Sequence, residues 1–130
     1  MAEADFVHAL KRRRQVSITV AGRRTGRAIT VPVWFVADEF TLWLLPVYGS
    51  ETQWYRNLEK NRGITVQAGT RTQEFRARLL KDPAEVSTLV ERFREKYTPG
   101  EIKRWYKGLD VGVQIRVSSR TSPTAAPAGT

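Results

Sequence analysis

Three apolar runs follow one another between Gln15 and Val47, and the turns between them are too short for a parallel crossover. Gln15–Ala21 alternates Val16, Ile18 and Val20, the pattern of a half-buried strand. Residues 29–37, ITVPVWFVA, and 40–47, FTLWLLPV, are more continuously apolar, and Asp38-Glu39 supplies the turn between them. Each holds a proline, and Pro32 marks an edge position or a bulge because it cannot donate to a ladder. Two further strands are predicted at 64–68 and 74–80, joined through Gly69-Thr70-Arg71, and a closing strand at 111–117. Six strands with short early connections predict a mostly antiparallel sheet. At this size such a sheet removes its edges by closing into a small barrel.

Helices punctuate this pattern. Residues 4–14 can form a short one, with Phe6, Val7 and Leu10 on one face and Lys11 to Arg14 as its solvated last turn. Ser50 is a candidate N-cap for a helix over 51–60, with Gln53 completing a capping box. That helix stops at Asn61-Arg62-Gly63. Asp82 as N-cap and Pro83 at the first helical position open another, whose apolar face is Val86, Leu89, Val90, Phe93 and Tyr97. Thr98-Pro99 starts a shorter helix through Trp105 and Tyr106. The organisation is therefore one α+β domain over residues 1–117. Residues 118–130, small, polar and proline-containing, predict a disordered tail.

Composition narrows the chemistry. The chain has no cysteine, which excludes disulfides, thiolate nucleophiles and iron–sulfur clusters. Its one histidine, His8, falls short of the two or three that a zinc site takes, so no metal is expected. No serine has a partner base, and no carboxylate pair has the spacing for acid–base work. Chemistry on such a chain belongs to a bound cofactor. A net charge of +9 calls for something anionic: nucleic acid, an acidic membrane surface or a phosphorylated small molecule. No stretch approaches a membrane span and no secretory signal opens the sequence, so a cytoplasmic protein is expected.

Three motifs could carry a ligand. Gly22 to Arg27, GRRTGR, places three arginines on a glycine-bearing turn; it reads as a phosphate cradle or as an ordinary basic hairpin. Pro46-Val47-Tyr48-Gly49-Ser50 leads into a helix whose first turn carries Trp54 and Tyr55; these rings either cover a planar ligand or pack the helix on the barrel, as Leu58 does. Val31-Pro32-Val33-Trp34-Phe35 either leaves backbone groups free for a ring edge or is an edge strand with core aromatics.

Taken together, GRRTG, VPVWFV, LWLLPV, QWYRNL and DPAE resemble the flavin/deazaflavin oxidoreductases, the split β-barrel proteins that include deazaflavin-dependent nitroreductases and quinone reductases. The similarity covers residues 15–82 and, more loosely, the later helices and 110–117. It implies a barrel of the FMN-binding split type, often dimeric. Such a barrel binds coenzyme F-420, an 8-hydroxy-5-deazaflavin, or alternatively FMN, in a groove between barrel and helices. It implies hydride transfer to an electron-poor acceptor such as a quinone, enone or nitroaromatic. Carried over, Arg23, Arg24, Thr25 and Gly26 hold the cofactor's phosphate, and Pro32, Val33 and Trp34 lie along its ring. Pro46, Val47, Tyr48 and Gly49 line the ring's other edge, and Trp54 and Tyr55 match the aromatic pair of the helix start. Tyr48 and Tyr55 are then the candidate catalytic hydroxyls. The loop before Trp54 is shorter than the Ser-Lys-Gly-Gly type of the nitroreductases and lacks its lysine. Within the same fold, FMN, haem or a lipid-like ligand are rival occupants. A nucleic-acid-binding barrel is the rival of another class, disfavoured because the arginines gather in a turn while the aromatics lie in strands.

Overall fold

A computed structural model describes residues 9–10, 13–38 and 40–117. Its strands are β1 (Gln15–Ala21), β2 (Ala28–Ala37), β3 (Thr41–Leu44), β4 (Gly63–Ala68), β5 (Arg71–Leu80) and β6 (Gly112–Arg116). Among the described residues they are accompanied by α1 (Gln53–Lys60), α2 (Pro83–Tyr97) and α3 (Pro99–Trp105), and by a short 3-10 helix at Gly49–Glu51. The strands close into a barrel in the order β1-β2-β3-β6-β5-β4, and every pairing is antiparallel. The alternation of β1 buries Val16, Ile18 and Val20, which meet Leu42, Leu44, Val66, Val113 and Ile115 inside the barrel. From α1, Trp54, Tyr55 and Leu58 join that interior.

A second apolar cluster lies outside. The predicted face of α2, Val86 through Tyr97, packs with Ile102 and Tyr106 against Val36, Leu45 and Leu80. Asp82 caps α2 by accepting from the Glu85 amide, and Thr98 caps α3 by accepting from that of Glu101.

The barrel is split along β2. Its first part, Ala28 to Trp34, pairs with β1, and its last part, Phe35 to Ala37, pairs with β3. Pro32 therefore sits where the strand has one neighbour, an edge position. Phe35 stands at the change of partner, and the Tyr97 hydroxyl serves its backbone there. It accepts from the Phe35 amide at 3.0 Å and lies 2.7 Å from the Phe35 carbonyl and 2.6 Å from that of Arg14. Lys96 adds an ammonium to the same Phe35 carbonyl at 2.9 Å.

Local departures from the sequence reading have physical causes. β3 ends at Leu44, because its partner β6 ends its ladder at Val113 and the chain then turns over Pro46 to Gly49, whose amide donates to the Pro46 carbonyl. Ser50 caps nothing; its amide and hydroxyl both bind Asp110, and α1 starts later, with Thr52 at the N-cap position. β5 begins at Arg71 because Gly69, at φ +65°, permits a two-residue turn that pairs Ala68 with Arg71. Ala9 and Leu10 are helical, but Arg13 and Arg14 have left the helix. Both arginines are exposed, as expected, and Arg14 also lies 5.1 Å from the Tyr97 ring and 5.6 Å from that of Trp34. His8 and the expected tail fall outside the described residues.

Candidate functional site

The β1–β2 connection is a six-residue loop, Gly22 to Arg27. The Gly22 amide donates to the Arg27 carbonyl, the Gly26 amide to the Gly22 carbonyl, and Gly26 takes φ +77°. The loop lays Arg23 across the start of α1. Its guanidinium donates to Asn57 Oδ1 and Gln53 Oε1, both at 2.8 Å, and its amide donates to Asn57 Oδ1 at 3.1 Å. Gln53 and Asn57 stand one turn apart and share a helix face. Both partners are neutral carboxamides, so the arginine is held in place with its charge uncompensated. Arg24 has no acidic partner among the described residues. A fixed cation beside a free one suits a phosphate.

The opposite wall is the segment after β3. The amides of Lys107 and Gly108 both donate to the Val47 carbonyl, at 2.6 and 3.2 Å, and Tyr48 bridges to Gly108. A Cβ on Gly108 would stand 2.9 Å from the Tyr48 backbone, so glycine lets the two segments touch. Gly49, at φ +59°, approaches Asp110 so closely that a Cβ would lie 2.0 Å from Oδ1. The Ser50 hydroxyl holds the Asp110 carboxyl below its ordinary range.

Between these walls runs a groove of two compartments. The larger, about 590 Å³, takes Arg23, Arg24 and Thr25 from the hairpin, Gln53 and Asn57 from α1, and Tyr48 from the far side. The smaller, about 270 Å³, is aromatic: Pro32, Val33, Trp34, Trp105 and Tyr106 line it, with Gln15 at its margin. Val31, Val47 and Trp54 belong to both, so the compartments are contiguous. Trp34 is stacked on Tyr97 at 4.4 Å and 9°. Tyr106 is buried, which pushes its phenol above the ordinary range. Its hydroxyl makes no hydrogen bond to any described residue.

Most of the expected site residues therefore meet. Arg23, Arg24, Thr25, Tyr48, Val47 and Trp54 line the larger compartment; Pro32, Val33 and Trp34 line the smaller. Four do not. Gly26 faces a shallow recess on the other side of the hairpin. Pro46 is buried, and Gly49 is packed on Asp110. Tyr55, expected in the acceptor pocket, is wholly buried in the barrel core with its hydroxyl unpartnered, because it lies one helical step from Trp54 and faces inward. Gln53, Asn57, Ile29, Trp105 and Tyr106 were missed. Gln53 and Asn57 share an i, i+4 spacing that signals one face; Trp105 and Tyr106 end a helix whose placement only the tertiary fold decides.

The family model described as F420H(2)-dependent quinone reductase matches residues 1–124. No curated protein matches the sequence. Among solved structures, an F420-H2 dependent reductase (FDR-A) superposes with TM-score 0.63 at 22% identity, covering 79% of this chain and 94% of that one. A structure described as a domain-swapped dimer aligns with TM-score 0.64 at 25% identity, covering 86% of each chain. The heme storage protein HutZ from Vibrio cholerae aligns with TM-score 0.63 at 14% identity, again covering 86% of each.

Proposed function

The chain belongs to the F420H(2)-dependent quinone reductase family, and from that premise we propose a division of labour along its groove. The enzyme is an oxidoreductase that uses reduced coenzyme F-420 to reduce an electron-poor acceptor of the quinone class. The single observation that carries the assignment of roles is the contiguity of a cationic compartment with an aromatic one through Val31, Val47 and Trp54.

The residues present fit such a cofactor. Arg23, pinned by Asn57 and Gln53, would hold its phosphate, with Arg24 and Thr25 beside it. Trp54 and Val47 would bear on its ring. When bound, the reduced deazaflavin supplies a hydride, and the protein's part is to bind, orient and exclude water. The apolar walls made by Trp34, Trp105 and Pro32 remove water from the neighbouring compartment and leave room for a flat acceptor. Tyr106 is the one phenol of that compartment, and its hydroxyl is free to donate. A high phenol pKa keeps its proton in place, ready to hydrogen-bond an acceptor oxygen as negative charge grows there. The cysteine-free sequence and the relative described as a domain-swapped dimer are compatible with a cytoplasmic homodimer.

Binding of F-420 followed by fluorescence tests the cradle. Arg24→Ala is expected to weaken binding about tenfold or more, the scale of one charge-assisted contact. Tyr106→Phe is expected to leave that affinity unchanged and lower turnover about 10²-fold. An unchanged dissociation constant in Arg24→Ala would mean that the phosphate lies elsewhere.

A further inference from the structure

A separate cavity of about 350 Å³ lies between the end of β2 and α2, and it shares no lining residue with the groove. Leu10, Phe35 and Val36 give it an apolar wall. Arg92 and Lys96, one turn apart on the same face of α2, present cations to it.

Lys96 is held there without a counterion. Its Nζ donates to the Phe35 carbonyl at 2.9 Å and lies 3.6 Å from the centre of the Phe35 ring. No carboxylate among the described residues forms an ion pair with it. Asp38 and Glu95 also border the cavity, but the Asp38 carboxylate is spent on the amides of Phe40 and Thr41. The nearer charge is a repelling one: the Arg14 guanidinium and the Lys96 ammonium each lie 5.1 Å from the Tyr97 ring. Burial, and then the charge of Arg14, lowers Lys96 to about 8, so a share of the amine is neutral near pH 7.5. A neutral amine that donates an N–H to a carbonyl keeps its lone pair for an electrophile. The apolar wall admits a small uncharged molecule, and the two arginines favour a product that carries negative charge.

We propose that Lys96 forms a carbamate with carbon dioxide. The Nζ lone pair attacks the carbon and a nitrogen–carbon bond forms. The electrons of one carbon–oxygen π bond move onto oxygen, and Nζ releases a proton to water. Nothing is oxidised or reduced, and no leaving group is needed. The groups that face this nitrogen are Arg14, Arg92, Asp38, Glu95 and the Tyr97 hydroxyl. Repulsion between Arg14 and an ammonium becomes attraction to a carbamate, and Arg92 adds a second cation one turn away. The proposal is independent of what the groove binds.

The test exposes the full chain to carbon-13-enriched bicarbonate, traps carbamates with a trialkyloxonium salt and maps them by peptide mass spectrometry. At pH 8 the adduct is expected on Lys96 at about tenfold the occupancy of any other lysine or of the Met1 amine. At fixed carbon dioxide pressure that occupancy should rise from pH 7 to pH 8. Lys96→Arg keeps the positive charge and should lose the adduct. Arg92→Gln, at an exposed position, should lower it about threefold, the scale of one exposed charge pair. Unfolding in guanidinium should abolish the preference for Lys96. An adduct spread evenly over the lysines, one confined to Met1, or one that Arg92→Gln leaves intact overturns the proposal. So does a preference for Lys96 that survives unfolding, since the cavity would then play no part.

Discussion

A phenol buried without a hydrogen-bond partner loses its hydration and gains nothing in return, which costs about 1–3 kcal/mol. Tyr55 is such a group: no surface is exposed, the hydroxyl is unpartnered, and burial raises its pKa to about 12. Tyr55→Phe removes the oxygen and keeps the ring, so it should raise stability by about 1 kcal/mol. A urea midpoint shifted upward with unchanged kcat/KM is the expected outcome; a loss of turnover would return Tyr55 to the chemistry. The neighbouring residue shows why single positions were hard to read. Trp54 and Tyr55 are adjacent aromatics in the first turn of an eight-residue helix. One step of about 100° lets Trp54 reach the groove while still packing on the core, and puts Tyr55 wholly inside the barrel. The sequence announces two rings at a helix start but cannot say how that short helix is rotated. Arg23 and Arg24 were legible because a turn between paired strands must project its side chains outward. Tyr106 was not, because its value as a free hydroxyl depends on what fails to reach it.

Elements with a clear period were legible, and those whose ends depend on partners were not. The alternation of β1 and the 3.6-residue face of α2 survive unchanged in the structure. β3 is shorter than its apolar run because pairing, not hydrophobicity, ends a strand. The least legible feature is the split in β2, since nothing in ITVPVWFVA reveals that Trp34 pairs with β1 and Phe35 with β3. A strand that changes partner strains the supply of backbone hydrogen bonds at the change. Tyr97 meets that need from α2, its hydroxyl reaching the amide and carbonyl of Phe35 and the carbonyl of Arg14. Tyr97→Phe would keep the ring stacked on Trp34 while leaving the buried Phe35 amide without that acceptor. A loss of about 1–3 kcal/mol follows from one orphaned buried donor. Equilibrium unfolding measures it, and a loss under a few tenths would show that α2 is not what joins the two halves of β2.

At the scale of the molecule, the charge of +9 and the buried titrating groups act in sequence as pH rises. Burial, and then the charge of Arg14, lowers Lys96 from 10.5 to about 8, with the ammonium set over the Phe35 ring at 3.6 Å. Between those values the unfolded chain holds a proton that the folded chain has released, so stability rises with pH across that window. Tyr55 and Tyr97 shift the other way, from 10.0 to about 12, chiefly through burial. Above pH 10 the folded chain keeps phenol protons that the unfolded chain gives up, so stability falls there. Loss of net charge towards the isoelectric point near 10.5 adds to the rise by easing self-repulsion. The melting temperature is therefore expected to climb from pH 8, pass through a maximum near pH 10 and decline beyond it. Lys96→Met should flatten the climb and leave the decline in place. Lys96 keeps much of its side chain in water, so the difference will be a fraction of what a fully buried ammonium would give. A climb equally steep in Lys96→Met would assign the whole effect to net charge and remove Lys96 from the balance.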